Sequence, residues 1–147
     1  MRILRIRSNN KKISNFIFNL RNKSYVRENS LNKNKIQFSE HEKWIKNFFK
    51  KKNILYIMYK GKFLIGYIRL EKLINYSNVS WTVLKKYQKK GYAKKGLTIA
   101  TKSKKMKYKA LIKKNNLASI SIAEKTGFKL KYNIKNTCHY YKIHSSV

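Results

Sequence analysis

The chain contains no proline and no aspartate, only five glycines, one cysteine and three histidines, and its five acids are all glutamates. A lone cysteine, Cys138, cannot close an internal disulfide and fits a reducing cytoplasm. Cysteine and histidine stand at scattered spacings that form no metal motif, so no metal is expected. No run of about 18 apolar residues occurs, so no membrane span is expected. Ile13 to Leu20 is too short and too interrupted by polar residues to read as a signal peptide.

What is present in excess is positive charge, 37 lysines and arginines for a net +32 on 147 residues. Such a balance suggests a nucleic-acid or other anionic partner. Yet the basic residues are spread along the whole length, and only six are arginine. Lysine, asparagine and isoleucine, which dominate the chain, share AT-rich codons, so genome bias explains the composition as well as a polyanion does. Non-specific, salt-dependent polyanion binding is expected in either case. Apolar residues make up 42% of the chain and aromatics 14%, enough for one packed domain over residues 1–147.

The densest signal is Val79-Ser80-Trp81-Thr82-Val83-Leu84 followed by Tyr87-Gln88-Lys89-Lys90-Gly91-Tyr92-Ala93 and a helical pattern from Lys94 to Lys107. This reads as strand, basic turn and helix. Amides in the turn and first helical turn have no intrahelical partner and can converge on an anion. Gly91 allows close approach, and Lys89, Lys90 and Lys94 add charge. Read alone, such a turn is also an ordinary solvated loop. A second pattern follows the strand Lys109 to Ile112: Asn116-x-x-Ser119, then Glu124-Lys125-Thr126-Gly127-Phe128. It suits a two-turn helix closed by a left-handed Gly127, with Phe128 opening the next strand.

Together the two patterns resemble the GCN5-related N-acetyltransferases (GNAT), whose Gln/Arg-x-x-Gly-x-Gly/Ala turn matches Gln88 to Ala93. The resemblance implies that acetyl-CoA is the cofactor, its pyrophosphate held by Gln88, Lys89, Lys90, Gly91, Tyr92 and Ala93. Asn116 and Ser119 would meet the pantetheine arm, and amides of Trp81, Thr82 and Val83 the acetyl end. The family splays that strand from its neighbour, often at a bulge. Its usual tyrosine acid is missing, because Ala123 stands at that position.

The remaining elements agree with this family. Strand Ile3 to Arg7 and helix Ile13 to Arg21 precede a polar, irregular stretch over 22–39. Ser39 with Glu42 forms a capping box for a helix whose buried face is Trp44, Ile45, Phe48 and Phe49. Strands Ile54 to Tyr59 and Phe63 to Leu70 join through Lys60-Gly61-Lys62, and Asn75 to Asn78 turns into the Val79 strand. Leu130 to Ile134 and Cys138 to Ile143 close the chain around Lys135-Asn136. The expected class is α/β (α+β): a mixed central sheet of six or seven strands with helices on both faces.

Arg21-Asn22, Val26-Arg27, Asn29, Ile36 and His41-x-x-Trp44, with Ile65 to Arg69, resemble the branch that acetylates UDP-linked 4-amino sugars in surface-glycan biosynthesis. That likeness implies a cytoplasmic bacterial enzyme, monomer or homodimer, acting on a small-molecule amine, with Arg21, Asn22, Arg27, Asn29, His41 and Arg69 holding a UDP-amino sugar. Arginine forks suit a diphosphate and asparagines suit sugar hydroxyls. Equally, Arg27 could pair with Glu28 or Glu42, and His41 and Trp44 could simply pack. The amine would attack the thioester directly, with Glu71, His41 or Ser80 through water as base candidates, and Tyr92, Tyr140 or Tyr141 as a substitute acid. A protein or ribosomal-protein acetyltransferase and a non-enzymatic RNA-binding protein on the same fold are the competing readings.

Overall fold

The computed structural model describes residues 1–144. The elements in chain order are β1 (Arg2–Ile6), α1 (Lys11–Arg21), α2 (Ser24–Arg27), α3 (Phe38–Lys50), β2 (Ile54–Lys60), β3 (Phe63–Lys72) and β4 (Ser77–Val83). A short 3-10 turn at Lys85–Tyr87 leads to α4 (Tyr92–Ala100), β5 (Lys107–Lys113), α5 (Leu117–Lys125), β6 (Lys129–Ile134) and β7 (Thr137–Ile143). The strands form one seven-stranded sheet in the order β1-β2-β3-β4-β5-β7-β6. Every neighbouring pair is antiparallel except β4 and β5.

Strand alternation sends successive side chains to opposite faces, so one sheet builds two cores. On one face Ile13, Ile17 and Leu20 of α1 and Ile45 and Phe48 of α3 pack on Leu55, Ile57 and Tyr67. Their spacing of three and four residues is the helical repeat that lays one apolar stripe on a sheet. On the other face Leu97 and Ala100 of α4 and Ala123 of α5 pack with Met58, Ile65, Ile68, Tyr108 and Phe128. Helix α4 sits unusually close there. A Cβ on Gly96 would come within 2.7 Å of the Met58 sulfur, and one on Gly66 within 2.5 Å of the Thr82 carbonyl.

Several boundaries differ from the sequence reading. Helix α3 starts at Phe38 behind Gln37, which makes no side-chain cap, so Ser39 is inside the helix and the capping box does not form. Phe38 packs edge-on against Phe18, with centroids 5.3 Å apart, and this contact draws the helix start forward. Helix α4 ends at Ala100, not Lys107. The Thr101 hydroxyl folds back on the Leu97 carbonyl at 2.7 Å, while Lys142 and His144 donate to Thr101 Oγ1 and its carbonyl. The stretch 22–39 contains the one-turn helix α2. Strand β4 pairs with β3 without a register shift; the sheet's bulges fall at Met58/Tyr59 and Leu130/Tyr132.

The feature that positions the site is the β4–β5 junction. These parallel strands pair only through Ser77↔Tyr108 and Asn78↔Lys109, then diverge. From Val79 onward one edge of β4 faces a cleft and not a neighbouring strand.

Candidate active site

Two cavities open on that cleft. The first, about 480 Å³, is lined by Trp81, Thr82 and Val83 of β4, by Gln88, Lys89, Gly91, Tyr92 and Ala93 of the turn, and by Asn116 and Ser119 at the start of α5. Gly91 is left-handed at φ 81°, and nothing lies within 4 Å of the place where its Cβ would be. The protein itself therefore leaves that space open. Lys89 is also left-handed, at φ 61°, a conformation that costs a non-glycine residue about 1 kcal/mol and that Lys52 and Lys135 also adopt in their turns. Gln88 donates to the Val83 carbonyl at 3.0 Å and latches the turn to the strand. The first helical bond of α4 runs from Lys95 to the Gly91 carbonyl at 3.0 Å, so the amides ahead of it are not consumed by the helix. Lys94 and Lys125 line this groove; Lys90 does not. Lys125 escaped the sequence reading because it comes from the far end of α5.

Asn116 does double duty. Its Oδ1 accepts from the Ser119 N–H at 3.3 Å and caps α5, and its side chain lines both cavities. Gly127, at φ 97°, ends that helix as expected, with Phe128 N–H reaching the Ala123 carbonyl at 3.0 Å.

The second cavity, about 310 Å³, lies farther back along β4 under residues 22–36, with Leu111 and Ile112 of β5 also in its wall. Arg21, Tyr67, Arg69, Asn78 and Ser80 form its floor, and Asn29, Ser30, Asn32 and Asn34 of the overlying segment face them. Arg21 and Arg69 both stack on Trp44, with Cζ 4.7 and 5.2 Å from the ring. Arg69 Nε donates to Ser80 Oγ at 2.6 Å and lies 3.5 Å from Glu71 Oε1. Arg21 Nη1 is buried and has no hydrogen-bond partner among the described residues. Burial first, then the charge of Arg69, lowers the Arg21 pKa from its ordinary value. A cation pair held this way, with an idle donor, is a ready receptor for an anion.

Val26, Asn29 and Ser30 line both cavities, as do Trp81 and Thr82, so the two meet midway along β4. The overlying segment is pinned at several points. Asn22 exchanges two bonds with the Ile36 backbone at 2.9 and 2.8 Å; Tyr25 OH accepts from the Lys85 N–H at 3.1 Å; and Lys113 donates to the Glu28 carbonyl at 3.0 Å. Arg27 serves the same purpose, donating to the carbonyls of Asn22 and Lys33 at 3.1 and 3.3 Å.

The structure therefore separates the residues that the sequence reading grouped as acceptor-binding. Arg21, Arg69 and Asn29 line the acceptor-side cavity. Asn22 and Arg27 line neither cavity and brace the covering segment; Arg27 pairs with neither Glu28 nor Glu42 among the described residues. His41 is fully buried, its Nε2 2.9 Å from the Ser14 carbonyl and 3.0 Å from Ser14 Oγ, packed between α1 and α3. Burial pushes its pKa down, so the ring is neutral and walled off from either cavity. Tyr140 is also buried. It donates to Glu124 Oε1 at 3.1 Å, and burial followed by that bond pushes its pKa up to about 12. Glu71 lies beside Arg69 without lining the cavity. Of Glu71, His41, Ser80, Tyr92, Tyr140 and Tyr141, all considered for proton transfer, only Ser80 and Tyr92 line a cavity. Tyr67, given no role by the sequence reading, lines this cavity from the core, and Trp44, read mainly as packing, lies under the arginine pair.

An open-edged strand, a left-handed glycine turn and a helix start, in this order around a split parallel pair, define a class of acyltransferase. Residues 4–129 match the family described as Acetyltransferase (GNAT) domain, and the chain belongs to that family. No curated protein sequence matches it. Among solved structures it is similar to a domain from Methanocaldococcus jannaschii, with a TM-score of 0.80 and 17% identity over 95% of this chain and 97% of that one. Ribosomal-protein-alanine N-acetyltransferase from Brucella melitensis gives a TM-score of 0.77 and 16% identity, covering 96% and 99%. Spermidine N-acetyltransferase from Vibrio cholerae, in complex with CoA and spermine, gives 0.77 and 16%, covering 95% and 92%.

The protein is an N-acetyltransferase that uses acetyl-CoA. Its groove fits that cofactor, with open space above Gly91, unspent turn amides, and Lys89, Lys94 and Lys125 at the rim. Acetyl-CoA supplies an activated acyl group. The residues of the turn would hold its phosphates, and Trp81, Thr82, Asn116 and Ser119 the arm near the junction. No helix among the described residues is long and apolar enough to cross a membrane.

Proposed function

We propose that the acceptor is the primary amine of an amino sugar joined to a nucleoside diphosphate. The observation that carries this reading is the pairing of Arg21 and Arg69 on one Trp44 ring, in a cavity roofed by Asn29, Ser30, Asn32 and Asn34. The guanidinium forks take phosphate oxygens, and the amides and hydroxyl take sugar hydroxyls. A polycation such as the spermine bound by the Vibrio cholerae relative would face Arg21 unpaired and Arg69 only partly offset by Glu71, and no carboxylate lines this cavity among the described residues. A basic peptide terminus meets the same repulsion. The shared boundary along β4 lets such an amine reach the end of the cofactor groove.

The test is release of free thiol from acetyl-CoA with UDP-linked 4-amino sugars, spermidine and basic N-terminal peptides as acceptors. Turnover on the sugar at a kcat/KM at least about a hundredfold above the other two is expected. Preference for spermidine or a peptide overturns the reading.

A further inference from the structure

The lysines of this chain are distributed everywhere, but on one surface they meet aromatic rings. Strands β5, β7 and β6 bury Tyr108, Ala110, Ile112, Cys138 and Tyr140 toward α4 and α5. Their opposite face carries no buried side chain. Its centre is Tyr141, paired across the sheet with Lys109 on one side and Lys129 on the other. The Lys109 and Lys131 ammoniums sit 5.5 and 4.8 Å from the Tyr141 ring, and Tyr76 packs edge-on against it at 4.9 Å. Beside it Tyr132 and His139 stack at 4.6 Å and 25°, and the Tyr132 and Tyr141 hydroxyls are 3.2 Å apart. A register shift between Leu130 and Tyr132 accounts for Lys131 reaching this face, since a bulge re-aims the residue it inserts.

Tyr132 keeps 39% of its surface in water, and β6 is exposed along its whole length. Rings on an open sheet face, flanked by ammoniums, are what a single nucleic-acid strand requires: bases stack on aromatics and phosphates pair with lysines. Neither cavity includes Tyr132, His139 or Tyr141, so the surface is a platform and not a pocket, which suits a strand better than a free nucleotide.

We infer that the outer face of β5, β7 and β6 is a binding platform for single-stranded nucleic acid, centred on Tyr132 and Tyr141 with Lys109 and Lys131. It adjoins the second cavity, which Leu111 beside His139 also lines, but shares none of its aromatic residues with either cavity, and it does not depend on the identity of the acceptor. Net charge alone binds polyanions anywhere on the surface; stacking binds them here.

The experiment is fluorescence anisotropy of a labelled 12-nucleotide oligouridine, with the full chain at 0.15 M KCl. Tyr132→Leu/Tyr141→Leu should weaken binding tenfold or more, as the loss of one to two stacked bases predicts. The slope of log affinity against log salt should not change, because no charge is removed. Tyr132→Phe/Tyr141→Phe keeps the rings and should bind within twofold of wild type. Lys109→Gln/Lys131→Gln should reduce the slope by about 1.4, at about 0.7 per phosphate contact. Undiminished acetyl-CoA binding by each variant confirms that it is folded. The inference is overturned if the leucine variant binds like wild type, if Lys46→Gln/Lys50→Gln on α3 weakens binding as much, if a duplex of the same length binds as tightly, or if no RNA is bound.

Discussion

The two cavities beside β4 are built in different ways. The cofactor groove is made mainly of backbone: a left-handed turn, the open edge of a strand and the start of two helices. The second cavity, proposed for the acceptor, draws on side chains from α1, β3, β4, β5, the start of α5 and the segment between α1 and α3, with Trp44 of α3 beneath the arginine pair. Backbone geometry needs a few residues at fixed spacing and tolerates much else. Side-chain geometry needs distant elements to arrive together, so it varies while the groove stays the same. A single fold can thereby keep one donor and change its acceptor.

Substitutions that act on one cavity and spare the other break this comparison if it is wrong. The largest effect is expected from Gly91→Val, which places a β-branched side chain at φ 81° in the space the turn keeps open. Loss of two charge-assisted bonds corresponds to about a hundredfold weaker acetyl-CoA binding by calorimetry. A β-branched residue at this φ strains the turn by about 1–3 kcal/mol, but outside its chain neighbours its Cβ meets no atom within 4 Å, so the domain should still fold. Unchanged affinity in a folded variant would remove the groove assignment.

Next is Arg21→Gln, expected to raise the acceptor KM about tenfold to a hundredfold and leave acetyl-CoA affinity within twofold. Arg21→Lys should restore little, since a point charge cannot fork. A loss of cofactor affinity instead would mean that the cavities are not separable at this floor.

Asn22→Ala tests the segment they share. It removes both bonds to Ile36, about 2 kcal/mol, and loosens Val26, Asn29 and Ser30, which line both cavities. The KM values for both substrates should rise together by several-fold. A rise in only one would show that the segment serves that cavity alone.

His41 gives a pH signature distinct from catalysis. Its folded pKa lies below the unfolded value of about 6.5, so the unfolded chain binds the extra proton first. Stability is therefore full above about pH 6.5 and falls as pH drops through that value toward the folded pKa. The thermal midpoint of the wild type should decline between pH 7 and 5, and His41→Gln should flatten that decline with kcat within twofold. A large kcat loss in a stable variant would return His41 to the chemistry.

Smallest is Tyr140→Phe, which removes only the bond to Glu124 and should leave kcat within twofold. A tenfold fall would make that hydroxyl a proton donor after all.

The cofactor side was legible because its cause is local. Gln88 to Ala93 forms a turn whatever surrounds it, since Gly91 accepts a left-handed φ and the helix that follows leaves its first amides unspent. Asn116 and Gly127 bracket α5 for similarly local reasons. The capping box at Ser39 and the long helix to Lys107 failed because tertiary contacts overrode propensity: Phe38 on Phe18, and Lys142 and His144 on Thr101. On the acceptor side, the residue types in Arg21, Asn22, Arg27 and His41 were visible but their directions were not. Two residues of that series brace a loop, one fills the core, and only Arg21 meets Arg69 over a tryptophan.

By itself the sequence determined the family, the order of the elements apart from the one-turn helix α2, the left-handed turn at Gly91 and the absence of an internal disulfide, because each rests on residue type at short spacing. The tertiary structure alone decided which polar side chains line a cavity, which are buried, and where β4 parts from β5. Those outcomes depend on contacts between residues far apart in the chain. Period and composition say that such residues will be packed together, but only the packing itself says which way they face.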